Sequence, residues 1–242
     1  MYAFRELRPS LPELNPTMLL LHCLYIRSRM TMNPMEIMET CTKYQASPSE
    51  KILLHLLGPQ LGSGGFVTVF SGIRLSNESP VAIKHVARES VLQWDERPDG
   101  ARVPMEIVLM EKVGSGCHNI IHLLDWFELP DSFVLVLESL ERSQDLQQFL
   151  QEQEFLSEEA AHWLFCQVLE AVRHCTACRV LHRDIRPENL LVDPESGDLK
   201  LIDFSCGTFL QERAFTQLAR THLYSPPEWI CLGCYHSRAA TI

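Results

Sequence analysis

The residues with the most chemistry to offer come in a fixed order along the chain. Leu61-Gly62-Ser63-Gly64-Gly65-Phe66-Val67-Thr68-Val69 places glycines at the tip of an apparent hairpin. Without Cβ atoms there, backbone N–H groups can approach phosphate oxygens. Lys84 ends the apolar run Val81-Ala82-Ile83, and Glu106 follows on an apparent helix, available to pair with it. Asp184 follows His182-Arg183, Asn189 stands five residues further on, and Asp203-Phe204 come after a short hairpin. Oxygen donors from Asp203 and Asn189 suit a hard cation such as Mg²⁺. Asp184 has the chemistry to orient a hydroxyl and accept its proton, and Arg186 adds a cation two residues beyond it. A glycine tip alone is a weak signal, because many hairpin tips are glycine-rich. The ordered set carries the meaning.

These groups meet only if strands and helices bring them together. Residues 53–62, 66–75 and 81–86 read as three strands, the last two joined by the turn Ser76-Asn77-Glu78-Ser79-Pro80. The pattern predicts a helix over 103–113 and strands over 121–128 and 132–138 around a turn at Pro130-Asp131. Ser157 is placed to cap a helix, with Glu158 and Glu159 favourable at its positive end. Ala161, Leu164, Phe165, Val168 and Val172 then repeat at helical spacing and predict a buried stripe. Residues 190–192 and 199–202 flank a polar turn and read as a hairpin. Strands first and helices later predict an α+β, two-lobed arrangement. Residues 1–50, proline-rich and without sustained period, read as a flexible leader with a short helix around 18–29.

Composition narrows the function class. With 21 Lys+Arg against 31 Asp+Glu the net charge is −10, which argues against nucleic acid as a partner and for cationic ones. The longest apolar run, 18–26, is far short of the roughly 20 residues a spanning helix needs, so no membrane partner is expected. Nine cysteines read as free thiols of a reducing compartment, cytoplasmic with nuclear access. The pairs Cys175/Cys178 and Cys231/Cys234 are too far apart for zinc-ribbon spacing.

The ordered set, closed by Ser225-Pro226-Pro227-Glu228, matches the protein-kinase signature. More narrowly, the chain from Lys51 to Ile242 resembles the Pim family of serine/threonine kinases. The stretches that carry this are Arg102-Val103-Pro104-Met105-Glu106, Leu123-Leu124-Asp125-Trp126-Phe127-Glu128, Pro130-Asp131-Ser132-Phe133-Val134-Leu135, Glu170-Ala171-Val172-Arg173-His174-Cys175 and Tyr224-Ser225-Pro226-Pro227-Glu228-Trp229. The resemblance implies a β-rich N-lobe over 51–138, a helical C-lobe over 139–242, and transfer of the ATP γ-phosphate to Ser/Thr of Arg-rich proteins with Mg²⁺. It implies catalytic roles for Asp184, Lys84 and Arg186 and metal ligation by Asn189 and Asp203. Nucleotide contacts would come from Leu61, Gly62, Gly64, Val69, Ala82, Glu138 and Leu191, with Lys84 fixed by Glu106. Asp145 and Glu188 match acidic positions that receive substrate arginines. Met110, Leu123, His182 and Phe204 would stack into a spine between the lobes.

The chain departs from the family pattern at several positions. Val67 stands at the third loop glycine, Arg186 at a lysine, Ser205 at a glycine and Leu140 at a hinge proline. Kinase domains continue beyond Pro227-Glu228 with further helices, so 139–242 reads as an incomplete C-lobe in which Glu228 lacks its distal arginine. An exposed core there would draw chaperones. The competing readings are an active kinase, a pseudokinase or nucleotide-binding scaffold, and a truncated inactive fragment.

Overall fold

The computed structural model describes residues 55–64, 67–97, 100–140, 142–153, 155–218 and 224–237. The expected leader over 1–50, with its short helix, lies outside the described residues. The N-terminal part runs β1 (His55–Gly64), β2 (Val67–Arg74), β3 (Ser79–Ala87), β4 (Trp94–Glu96), β5 (Arg102–Pro104), α1 (Met105–Val113), β6 (Leu123–Glu128) and β7 (Ser132–Glu138). Five of these strands form one antiparallel sheet in the order β1-β2-β3-β7-β6. The three expected N-terminal strands and the 132–138 strand are all present within two residues of their predicted bounds.

Two boundaries differ from the sequence reading for physical reasons. The helix expected from 103 begins at Met105, because Arg102–Pro104 pairs with Trp94–Glu96 instead. Val103 precedes a proline, which disfavours helical backbone, and the Met105 N–H is held by Gln93 O at 2.9 Å. The strand expected from 121 begins at Leu123, because Ile121 N–H donates to Leu201 O at 3.0 Å and ties that segment to the other lobe.

The second lobe follows with β8 (Gln144–Asp145), α2 (Leu146–Glu152), α3 (Glu158–Ala177), β9 (Val180–Leu181), β10 (Leu190–Val192), β11 (Leu199–Leu201), β12 (Thr208–Phe209) and α4 (Pro227–Leu232). Ser157 caps α3 as expected, its hydroxyl accepting from Ala160 N–H at 3.2 Å. The hairpin is also as expected, with Leu190 opposite Leu201. The α3 stripe is corrected in part. Leu164 and Val172 are buried, but Ala161 and Phe165 are exposed. The inner face turns through Gln167, whose Oε1 accepts from Leu199 N–H at 2.8 Å and Asn119 Nδ2 at 2.9 Å. Its Nε2 donates to Gly197 O at 2.8 Å. A fully bonded amide can be buried at little cost, and this one docks the hairpin on the helix.

One apolar cluster runs through both lobes, from Val103, Ile107 and Leu135 to Val180, Leu190 and Leu201. It includes Ile107, Leu190 and Phe204, the chain neighbours of Glu106, Asn189 and Asp203.

Candidate active site

Lys84 sits mid-sheet, opposite Val69 on one side and Leu135 on the other. Its Nζ lies 2.5 Å from Glu106 Oε1 and 2.8 Å from Asp203 Oδ1. Lys84 and Glu106 are both buried. Burial pushes the Lys84 ammonium down, but Glu106 and then Asp203 outweigh it and hold it above its ordinary value. Burial pushes Glu106 up, against the pull of Lys84. Burial works in the same direction on Asp203, yet Lys84 and the Ser205 N–H bring it well below the carboxylate range. The cluster is therefore a charged triad, with Lys84 cationic and Asp203 anionic.

Asp203 occupies left-handed backbone, φ 63° and ψ 81°, a conformation costly for a side-chain-bearing residue. Its carboxylate holds itself there by accepting from Ser205 N–H at 3.3 Å. Ser205 is not in the positive-φ region, so its Cβ is accommodated in this state. Gly207, two residues on, has no such room: a Cβ would meet Leu109 Cδ1 at 2.6 Å.

Asp184 is buried, and Asn189 Nδ2 donates to its Oδ2 at 2.9 Å and to its backbone O at 2.7 Å. That turns the Asn189 carboxamide so that its NH₂ faces Asp184, leaving its oxygen for other ligands. His182 Nε2–H donates to Ile202 O at 2.9 Å while Nδ1 accepts from Asp184 N–H at 3.3 Å. Burial depresses His182, keeping the neutral ring those bonds require. The ring stacks edge-on against Phe204 at 4.8 Å, in the cluster that also holds Met110 and Leu123, so the expected spine residues are together.

A cleft of about 1220 Å³ lies between the lobes. Of the expected nucleotide contacts, Leu61, Gly62, Val69, Ala82, Glu138 and Leu191 line it. Lys84, Glu106, Asn189 and Asp203 line its polar end, and Asp145 and Glu188 its mouth. A Cβ on Gly62 would meet nothing within 4 Å. Gly64 ends β1, opposite Val67, and Val67 also lines the cleft. Leu140 is on the wall, and its N–H makes no hydrogen bond to the described residues.

Three placements bear on roles read from the sequence. The Glu138 carboxylate is engaged within the protein: its Oε1 is 3.0 Å from buried Lys200 Nζ and accepts from His122 N–H at 2.9 Å. Sequence reasoning does not single out Lys200, which looks like one more hairpin lysine; only its position between two leucines hints at burial. Arg186 lies between acids, its Nε 3.4 Å from Asp184 Oδ2 and its Nη1 3.8 Å from Glu188 Oε1. Arg186 Nε and Glu188 Oε2 are both buried without a hydrogen bond to the described residues. Asp145, expected to meet substrate, also caps α2 by accepting from Gln148 N–H at 2.8 Å.

Among the described residues no group of three or more His, Cys, Asp or Glu is placed to hold a metal, and no helix is long and apolar enough to cross a membrane.

A two-lobed α+β body with this triad in its cleft defines a class, and comparison agrees. Residues 56–242 match the protein kinase domain family, and the chain belongs to that family. Within it the chain is Pim-like. It is 41% identical over 196 residues to serine/threonine-protein kinase pim-2 of Danio rerio, covering 78% of this chain and 63% of that protein. It is 38% identical over 186 residues to serine/threonine-protein kinase prk-2 of Caenorhabditis elegans, covering 77% of this chain and 42% of that one. A PAS domain-containing serine/threonine-protein kinase of Mus musculus is 34% identical over 171 residues, 69% of this chain. The chain therefore spans less than two thirds of the length of each of these relatives.

Proposed function

We propose that the protein is an ATP- and Mg²⁺-dependent serine/threonine kinase acting on basic protein sites. The observation that carries this reading is the charged triad of Lys84, Glu106 and Asp203 in the wall of the cleft between the lobes. The residues fit both groups: hard oxygen donors at Asp203 and Asn189 suit Mg²⁺, and the open space at Gly62 suits a phosphate chain. When bound, Mg-ATP supplies the γ-phosphoryl group with part of its charge neutralised.

The chain's own groups then divide the work. Leu61, Val69, Ala82 and Leu191 enclose the base, and the Leu140 N–H offers it a hydrogen bond. Lys84, oriented by Glu106, donates to the phosphates. Asp203 and Asn189 hold the cation. Asp184 aligns the substrate hydroxyl and takes its proton on its carboxylate, and the Arg186 guanidinium stabilises charge on the transferred group. Asp145 and Glu188 attract substrate arginines at the mouth.

One observation favours a second reading, a nucleotide-binding scaffold: Arg186 contacts both Asp184 and Glu188, the groups that would receive hydroxyl and substrate. A cytoplasmic and nuclear setting is proposed from the free cysteines. Chaperone association is proposed from Ile230 and Leu232, 74% and 72% exposed. The test is incubation with γ-labelled ATP, Mg²⁺ and a serine peptide with arginines, or the same peptide with alanines. Labelling of the first well above the second supports the kinase reading. Nucleotide binding without labelling of either supports the scaffold.

A further inference from the structure

Helix α1 carries two glutamates with different surroundings. Glu106 faces inward to Lys84. Glu111 faces the sheet and the β4–β5 hairpin, and both of its oxygens are engaged. Oε1 accepts from Trp126 Nε1–H at 2.9 Å, and Oε2 accepts from Arg97 Nη2–H at 3.0 Å. Arg97 closes the ring by placing its guanidinium over the Trp126 indole, 5.4 Å from the centroid. Its backbone is pinned as well, Arg97 N–H donating to Ala101 O at 2.9 Å.

We propose that Glu111, with Trp126 and Arg97, is a positioning residue for the Lys84–Glu106 pair; the inference rests on the kinase reading above. Trp126 on β6 is opposite Leu135 on β7, and Leu135 is opposite Lys84 on β3. Paired residues project from the same sheet face, so Trp126 and Lys84 belong to one cross-strand row. The clasp therefore fastens α1 to the row that bears Lys84. The apolar residues of α1, Ile107, Leu109, Met110 and Val113, hold the helix down. Dispersion contacts are non-directional, however, and resist a small rotation or slide poorly. Two directional hydrogen bonds and a stacked cation fix that remaining freedom. The role is not one of bulk stability. Arg97 and Glu111 side chains are 36% and 43% exposed, where an isolated ion pair contributes little.

The test uses the whole chain with Glu111→Gln, which keeps an acceptor but drops the charge, Glu111→Leu, which drops both, and Trp126→Phe. Affinities are measured for Mg-ATP, which needs Lys84, and for adenosine, which does not. Glu111→Leu is expected to weaken Mg-ATP about fivefold, as for loss of a charge-assisted bond in a half-exposed setting, with adenosine unchanged and Glu111→Gln intermediate. Placed on Glu106→Gln, Glu111→Leu should add no further loss. Hydrogen exchange is followed in parallel, and amides of 105–113 should exchange faster while those of 79–87 do not. Equal weakening of both ligands, or a full additional loss on Glu106→Gln, overturns the proposal by making Glu111 merely structural. If the unaltered chain binds neither ligand, the kinase reading fails and exchange alone decides. Unchanged exchange in Glu111→Leu then overturns the clasp.

Discussion

Replacing Lys84 with methionine isolates the electrostatics of the triad, because Met keeps most of the apolar stem. Glu106, whose side chain is 8% exposed, loses the cation 2.5 Å away. Asp203 loses less, being 28% exposed and still bonded to Ser205 N–H. Breaking a buried pair by removing one partner costs about 3–5 kcal/mol, and the low end applies because Glu106 can escape by taking up a proton. At about 2–4 °C per kcal/mol for a chain of this size, the melt should fall by about 6–12 °C at pH 7.5.

The deficit should shrink in acid. In the unaltered protein Asp203 is depressed, so its contribution persists above roughly pH 3.9 and is lost only as pH falls below that. Lys84 is raised, so its contribution is lost only at alkaline pH. Neither changes between pH 5.5 and 7.5. Burial already raises Glu106 in the unaltered protein against the pull of Lys84; in the variant no cation opposes it, so it is raised further and the folded state gains more stability as pH falls. The difference between the two melts, followed by circular dichroism at pH 7.5 and 5.5, should be smaller at 5.5. A deficit below about 2 °C, or one equal at both pH values, would refute the reasoning.

Lys200→Met should cost about 1–3 kcal/mol, since it leaves His118 O without its donor and strips a cation from Glu138, which is 24% exposed and keeps its His122 N–H bond; denaturant midpoints identical to the parent's would show the pair to be neutral. His182 is held neutral by burial, so stability should be intact above about pH 6.5 and decline as pH falls below it. His182→Phe, which keeps a ring against Phe204, should flatten that decline in melts from pH 7.5 to 5.5, and an unaltered slope would count against it. Arg186→Lys should release Glu188 and lower KM for an arginine-containing peptide by about threefold. Steady-state kinetics giving the same KM would show the 3.8 Å contact to be without consequence.

The triad is legible because each member is announced by its neighbours: a lysine ending an apolar run, a glutamate on the next helix, an aspartate after a hairpin. The hairpin around 193–198 was legible from its polar turn between apolar pairs. What escaped was set by packing between distant segments. Strands of three residues such as β4 and β5 carry too little periodicity to register. Gln167 was hidden because a polar residue on a helix reads as solvent-facing, and only its bonds to Leu199, Asn119 and Gly197 place it inside. Hydrophobicity and spacing place Phe165 in the buried stripe, yet the helix turns it outward. The Arg186–Glu188 contact and the Glu111 clasp depend on side-chain reach, which spacing does not reveal.

The most direct measurement is transfer of labelled γ-phosphate from Mg-ATP to the arginine-containing serine peptide by the parent chain and by Asp184→Asn, with ATP affinity measured on both. The account predicts phosphoserine from the parent and at least about a hundredfold less from the variant, as loss of a general base requires. ATP affinity should change less than about twofold, since Asp184 lies outside the Lys84–Glu106–Asp203 contacts. Equal transfer by both, or ATP binding by the parent with no transfer at all, would contradict it.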